Sequence, residues 1–282
     1  MKNILVATDF SNNAYCALFY AAKLLGSQKC TFYLLNVFDE LTPLSDKKIQ
    51  LFAGKQRLEK LQAESEEKLT STRHRIVLDT GNTLHDFKIL SKKGLLAKNI
   101  IQTVAEKQID LVVMGNKGLT EAADVFFGSN TIRVIDQIKS CPVLTIPGEM
   151  DFKPPKQIAF ITDFKKGCTK KSLAPLLYFV SLAQAGVRVM HITEEDLLST
   201  EQESHRKLLE LSLKEVDHSF HWMQAFDDKA KVIQAFLKKE KIDLYAMANH
   251  KHKLFERLLR EPVIKDISMY ADIPFLVLPT ND

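Results

Sequence analysis

The sequence predicts an α/β protein built from two copies of one unit, each an open, mostly parallel five-stranded sheet with helices on both faces. Three observations predict it. Short apolar runs rich in β-branched residues alternate with stretches of helical periodicity, as in strands buried on both faces by crossover helices. Three segments recur in the same order: Asn3–Phe10 with Gln157–Phe164, Gln108–Met114 with Lys241–Met247, and Cys141–Pro147 with Ile273–Pro279. This self-similarity marks an internal duplication. Finally, the apolar run ending at Met114 passes into a glycine-bearing turn, Gly115-Asn116-Lys117-Gly118, with Gly128-Ser129 further on.

The elements of the first copy follow in order. Ile4–Ala7 is the first strand; the run is too short for a signal-peptide core and meets an acid at Asp9. Ser11 caps a helix whose apolar face is Ala14, Ala17, Leu18, Ala21, Ala22 and Leu25. Phe32–Val37 is the second strand. Residues 45–74 are charged, with Leu51, Leu58, Leu61 and Leu69 near helical spacing. That stretch reads as a solvated helix, with a cover over a ligand site or a subunit contact as the sharper readings. His85–Ser91 is the third strand. The helix after Gly94 turns Ile100, Ile101, Val104 and Ala105 inward. Ile109–Met114 is the fourth strand, a helix with Val134, Ile135 and Ile138 starts near Ser129, and the fifth strand ends at Ile146.

Gly148, Pro154 and Pro155 punctuate the joint, dividing the chain into domains at 1–150 and 151–282. Between its second and third strands the first copy spends residues 38–84, the second only 193–217.

With 282 residues, 45% hydrophobic and 26% charged, the chain suits two globular domains. A net charge of +4 without a Lys/Arg block argues against nucleic acid as a partner. No apolar stretch approaches the roughly 20 residues of a membrane span. Cys16, Cys30, Cys141 and Cys168 are scattered without CxxC spacing, which suits a reducing cytoplasm and small core side chains.

In open α/β sheets, ligands bind beyond the carboxyl ends of the strands, where the strand order reverses. Asp9 and Gly115 both follow strand ends. The pattern G-x2-G-x9-G-[ST] is Gly115, Gly118, Gly128 and Ser129. It is not a Walker loop, which closes on Gly-Lys-[Ser/Thr], and the Rossmann glycines are missing from the first turn. Gly115 and Gly118 permit close backbone approach to a ligand. Gly128 and Ser129 put N–H groups and a hydroxyl at a helix N-terminus, a good place for an anion. On spacing alone, turn glycines with a helix cap remain an equal reading. Lys117 adds positive charge to the loop, or is an exposed loop lysine. His218, His221, His250 and His252 lack ligand spacing and read as surface or partly buried histidines, so no metal centre is expected. No nucleophile, base and orienter are arranged for catalysis.

With these residues in view, the chain resembles a tandem member of the universal stress protein family. The resemblance rests on the glycine motif, on Ala7-Thr8-Asp9-Phe10-Ser11, on Asp110-Leu111-Val112-Val113-Met114 and on Cys141-Pro142-Val143-Leu144. It implies a strand order of 3-2-1-4-5 and an adenine-nucleotide alpha-hydrolase-like fold. It implies ATP, or AMP or ADP, with Mg²⁺ accompanying the triphosphate. By the same resemblance, Asp9 contacts the nucleoside and Val37 the adenine. Gly115, Gly118, Gly128, Ser129 and Asn130 line the ribose and phosphates, with Lys117 nearby. The function implied is a cytoplasmic, nucleotide-dependent stress-response regulator acting on an unknown protein partner. A slow ATPase or autophosphorylating enzyme, and a nucleotide-free scaffold, are the alternatives.

The second copy departs from the pattern. Ala248 replaces Gly115, Lys251 replaces Gly118, and Glu261-Pro262 stand near the third glycine. An acid there repels phosphate and proline lacks an N–H, so ATP binding of this kind is not expected. Family members pair through their fifth strands. The resemblance therefore implies Leu144-Thr145-Ile146 against Leu276-Val277-Leu278 in an internal pseudo-dimer that covers two sheet edges, with a homodimer of the whole chain as a further expectation.

Overall fold

The computed structural model describes residues 2–39, 55–116, 128–148, 150–193, 197–224, 229–249 and 273–279. The first copy supplies β1 (Asn3–Ala7), α1 (Asn12–Leu24), β2 (Cys30–Phe38), α2 (Lys55–Thr80), β3 (His85–Lys93), α3 (Leu96–Lys107), β4 (Leu111–Gly115), α4 (Ser129–Gln137) and β5 (Val143–Ile146). The second supplies β6 (Gln157–Thr162), α5 (Lys170–Ala183), β7 (Gly186–Thr193), α6 (Thr200–Leu213), β8 (His218–Gln224), α7 (Lys229–Lys239), β9 (Leu244–Ala248) and β10 (Phe275–Leu278). All ten strands join one sheet in the order β3-β2-β1-β4-β5-β10-β9-β6-β7-β8. Each half has the order 3-2-1-4-5 and is parallel throughout.

The halves meet where the fifth strands run antiparallel, with Phe275 opposite Thr145, Leu276 opposite Leu144 and Val277 opposite Val143. Two apolar edges that would otherwise offer unpaired peptide groups cover each other.

Successive strand residues point to opposite faces, and the sheet buries a core layer on each. Ile4 and Val6 join Leu144, Ile158, Phe160 and Leu276 under α1, α2 and α5. Leu5 and Ala7 join Val112, Val143, Ala159 and Val277 on the other face, with Ile100 of α3 and Ile135 of α4. Burial on both faces is why these strands read as continuous apolar runs rather than alternating ones.

Most of the first copy's helices obey their sequence pattern. The Ser11 hydroxyl accepts the Ala14 N–H at 3.1 Å, and the whole predicted apolar face of α1 is buried. In α3 the predicted face is turned. Ile100 is buried but Ile101 is exposed, and Asn99 and Thr103 lie inside instead. These polar groups are satisfied locally. Asn99 Nδ2 donates to the carbonyls of Lys93 and Leu95, and Thr103 Oγ1 donates to the carbonyl of Asn99. A buried polar group with its bonds made costs little, so the helix rolls toward them.

The charged helix also differs from expectation. It continues to Thr80, and Leu61, Ser65, Leu69 and Ile76 form its buried stripe; Leu51 lies outside the described residues. Leu69 and Ile76 belong to the main core, so α2 is a layer of the fold rather than a solvated excursion. Its shorter counterpart α6 buries Leu209 and Leu213 in the same way.

The duplication has a visible physical basis. The Asp110 carboxylate accepts the N–H groups of Lys2 and Asn3 at 2.7 and 3.0 Å. Asp243 does the same for Lys156 and Gln157 at 2.7 and 2.9 Å. In both copies the acid of the Ile-Asp-Leu run ties down the start of the first strand.

All four cysteines are free thiols. Among the described residues no helix is long and apolar enough to cross a membrane.

Candidate functional site

Three neighbouring strands of the first copy finish at one edge of the sheet. Ala7 of β1 stands beside Leu35 of β2, and Val6 beside Val113 of β4. Asp9, Val37 and Gly115 therefore emerge together, at the point where the chain stops building toward β3 and starts building toward β5. This is the topological switch point of the half-sheet.

The β1 exit is a built corner. The Phe10 N–H donates to Thr8 Oγ1 at 3.0 Å, the Ser11 N–H donates to Asp9 Oδ1 at 3.0 Å, and Phe10 takes a φ of +67°. The second copy repeats it. The Phe164 N–H donates to Thr162 Oγ1 at 3.1 Å, the Lys165 N–H donates to Asp163 Oδ1 at 3.0 Å, and Phe164 has a φ of +54°. The shared Thr-Asp-Phe thus makes a turn in both halves, through side chains that bond their own backbone. This alone accounts for the persistence of Asp163.

Val37 is half-buried on β2 against the α3/α4 core layer. Beside it, Asn36 is buried and fully engaged. Its Nδ2 donates to the Thr8 carbonyl at 2.8 Å, and its Oδ1 accepts the Ser65 hydroxyl at 2.8 Å. Ser91 in turn donates to Ser65 at 2.8 Å. Ser65 comes from α2, so the long helix reaches the strand ends next to Val37.

The β4 exit and the start of α4 are clamped together. Thr131 Oγ1 donates to the Gly115 carbonyl at 3.1 Å, and the Gly128 N–H donates to the Asn116 carbonyl at 2.8 Å. Gly128 is therefore not an N–H donor for a ligand, as its place in the motif suggests; that N–H closes the loop. What it provides is an N-cap without a side chain, at φ −64° and ψ 153°.

The N-cap of α4 is Gly128, which has no side chain to cap the helix, whereas Ser11, Thr169 and Ser199 cap α1, α5 and α6. Ser129 and Asn130 are exposed at this first turn, and Thr131 is buried. The positive end of the helix dipole lies at this turn. Asn116 Oδ1 is buried and has no hydrogen-bond partner among the described residues. Lys117 and Gly118 lie outside the described residues, as do Lys251, Glu261, Pro262, His250 and His252.

Sequence reasoning missed Asn36, Asn116 and Thr131. Asn116 carried a signal, because the register of Met114 with Met247 sets it opposite Asn249. Asn36 and Thr131 carried none, since their bonds join elements distant in sequence.

The second copy fills the same corner with aromatic side chains. His191 stands in register with Thr162, as Asn36 follows Thr8. Its Nδ1 lies 3.1 Å from the Thr162 carbonyl. The ring stacks on Phe164 at 4.9 Å and meets the edge of Trp222 at 5.2 Å. From α6, Gln202 Nε2 donates to the Asp163 carbonyl at 2.9 Å, and His205 Nδ1 lies 2.8 Å from the Phe164 carbonyl.

Burial holds the His191 imidazole below the usual histidine range. Its contribution to stability is therefore complete above pH about 6.5 and is lost as the pH falls through the lowered value. Wild-type protein is expected to lose more stability between pH 7 and 5 than His191→Asn, which keeps an amide for the Thr162 carbonyl as Asn36 does for Thr8. Urea unfolding followed by fluorescence of Trp222, the one tryptophan of the chain, measures this. Parallel pH profiles would refute it.

His218 and His221 both lie on β8. Their odd spacing on β8 puts them on opposite faces, and their rings bond the Val216 carbonyl and the Ser219 hydroxyl. Among the described residues, no group of three or more His, Cys, Asp or Glu could hold a metal ion.

Comparison with known proteins places this architecture. Residues 1–147 match the profile of the universal stress protein family. The universal stress protein MJ0577 of Methanocaldococcus jannaschii is 27% identical over 153 residues, 51% of this chain and 94% of that protein. A universal stress protein from Archaeoglobus fulgidus DSM 4304 superposes over 99% of this chain and 97% of its own, with a TM-score of 0.70 and 15% identity. The functionally unknown protein PA1789 from Pseudomonas aeruginosa PAO1 superposes over 100% of this chain and 94% of its own, with a TM-score of 0.56 and 14% identity. At these identities the superpositions speak for the fold alone.

Proposed function

The chain belongs to the universal stress protein family, and from that premise we propose that its first copy binds an adenine nucleotide, ATP or AMP, and acts as a nucleotide-dependent regulator. The observation that carries this reading is the start of α4, with the glycine Gly128 as its N-cap, beside the ends of β1 and β4. The Ser129, Asn130 and Thr131 peptide groups make a first turn suited to phosphate. Asp9 lies where the nucleoside would sit, and Val37 offers an apolar surface for the base. A donor on the ligand, such as a ribose hydroxyl, would satisfy the orphaned Asn116 Oδ1. Gly115, Gly118 and Lys117 complete the motif around the phosphates, and Mg²⁺ would accompany a triphosphate by neutralising its charge. The second copy has aromatic rings in its corner and Ala248 in place of Gly115, so it serves as a structural partner. Regulation requires that the nucleotide bind two states of the protein with different affinity. Residues 1–150 and 151–282 act as the nucleotide domain and its partner domain, in a cytoplasmic protein.

Calorimetric titration of Mg-ATP into the wild type and Asn130→Glu tests the site. A carboxylate in the first turn suits the helix dipole, so stability should stay within about 0.5 kcal/mol of wild type or rise. The same carboxylate repels phosphate, and ATP affinity should fall about tenfold or more. One site per chain, weakened in a variant that melts normally, supports the reading. No binding by folded, nucleotide-free wild type would overturn it in favour of a scaffold.

A paired experiment separates the two roles of Asp9. Asp9→Ala and Asp163→Ala each lose one turn hydrogen bond and should cost similar stability, about 0.5–1.5 kcal/mol. Only Asp9→Ala should also weaken nucleotide binding. Equal ATP affinities for the two variants would reduce Asp9 to a turn residue.

A further inference from the structure

The helix that presents the phosphate-binding turn is held at its other end by the second copy. Asn249 follows β9 as Asn116 follows β4, and the backbone bonds match. The Asn116 N–H donates to the Ile146 carbonyl and the Asn249 N–H to the Leu278 carbonyl, both at 2.9 Å. The Asn249 side chain, by contrast, crosses to the other copy. Asn249 Nδ2 donates to the Ile135 carbonyl at 2.7 Å and lies 3.4 Å from the Ile138 carbonyl. Asn249 is 4% exposed, so this contact is made out of water.

Several features make that contact matter for α4 in particular. The helix has 9 residues, and so short a helix holds its shape through tertiary contacts rather than by itself. Its C-cap Ile138 is extended at φ −86° and ψ 115°. α3 and α5 end differently, with left-handed caps at Gln108 and Gln184 that turn the backbone back on the last carbonyls. At α4 a buried side chain from the other copy reaches those carbonyls. The opposite end is fixed by its own copy, through Thr131 to Gly115 and Gly128 to Asn116. The helix is thus strung between β4 of one copy and the β9 exit of the other.

We propose that Asn249 is a positioning residue for the nucleotide site of the first copy, so that the second copy sets the affinity of α4 for phosphate. This rests on the nucleotide reading above and goes beyond it in giving the second copy a role in the affinity of the first copy's site. Removing the amide leaves the Ile135 carbonyl buried and unsatisfied, and the last turn of α4 then loosens or tilts. Hydrogen bonds to phosphate depend on the direction of the N–H groups at the far end, where a displacement of about 1 Å is costly. Base and ribose, held on that reading at the strand exits by Val37, Asp9 and Asn116, do not depend on the direction of those N–H groups and are affected far less.

The test uses full-length wild type, Asn249→Ala and Asn249→Asp. The aspartate offers no donor and sets a negative charge against the negative end of the helix. Affinities for ATP and adenosine are measured by calorimetry, and amide hydrogen exchange of the nucleotide-free proteins by mass spectrometry. The expected result is ATP binding weakened about tenfold or more with adenosine nearly unchanged. Exchange should rise across 132–138 and not in β4 or β5. Wild-type exchange in α4 with wild-type ATP affinity overturns the proposal. So does an equal loss of ATP and adenosine binding with exchange raised throughout, which marks general loosening. Should Asn249→Ala not fold, Asn249→Leu, which fills a similar volume without a donor, is read by the same criteria. If wild type binds neither ligand, the nucleotide reading fails by itself; exchange in α4 then still decides whether Asn249 holds the helix.

Discussion

Replacing Leu144 with aspartate should cost more than about 4 kcal/mol, enough to unfold much of the protein at room temperature. Leu144 is fully buried on β5 and stands opposite Leu276 of β10, at the centre of the antiparallel joint. The substitution removes a packed side chain, worth about 2–5 kcal/mol by itself. It also sets a carboxylate among Leu276, Ile146 and Leu278 in the shared core layer, and a buried unpaired charge adds several kcal/mol. The same substitution at Leu95 makes the control. Leu95 is 71% exposed and is the N-cap of α3, with an extended backbone and no side-chain cap bond. Aspartate is a favoured cap and should be neutral or stabilise by about 1 kcal/mol. Urea unfolding of the three proteins measures both effects. A loss below about 1 kcal/mol for Leu144→Asp would mean that the joint does not bear on stability.

Truncating Phe160 to alanine should cost about 3–5 kcal/mol. Phe160 is fully buried on β6, the central strand of its half, in the layer of Leu173, Leu176 and Phe179 from α5. The matching residue of the first copy is Val6, on the same face. On the other face the sizes are exchanged, with Leu5 matching Ala159. Phe160→Val therefore installs the residue native to the other copy, yet should still cost more than about 1 kcal/mol, because α5 is fitted to the larger ring. Denaturant midpoints for both variants test this. A neutral Phe160→Val would show that the two cores are interchangeable, and the duplication would then extend to packing as well as to backbone.

These two cases show where reading the sequence succeeds. Strand identity and order of elements were legible because burial on both faces demands apolar runs, and the glycines and prolines between them punctuate. The helix face of α1 was legible from one spacing and one cap. The face of α3 was not: Asn99 and Thr103 go inside because their side chains bond the Lys93, Leu95 and Asn99 carbonyls, and no hydropathy pattern encodes that. The end of α2 was misjudged for a similar reason. Ile76, Val77 and Leu78 follow one another after a charged stretch, and only the packed core shows that the helix continues through them and that Ile76 is the one of the three it buries.

The candidate site divides along the same line. Asp9, Gly115, Gly128 and Ser129 were visible as a spaced motif because each lies within a few residues of a strand or helix end. The use of the Gly128 N–H within its own loop, the Asn36–Ser65–Ser91 chain and the Asn249 amide beneath α4 were invisible. Each joins groups from different elements, and Asn249 bridges two copies of the duplication.

By itself the sequence determined the α/β class, the duplication, the strands and the residues at their carboxyl ends, since periodicity, capping and turn chemistry are local and are written in neighbouring residues. Only the tertiary structure decided which helix faces are buried, which polar groups satisfy one another, and how one copy props a helix of the other. Those outcomes depend on the directions and distances of groups far apart in the chain, and packing sets them only when all the layers are in place.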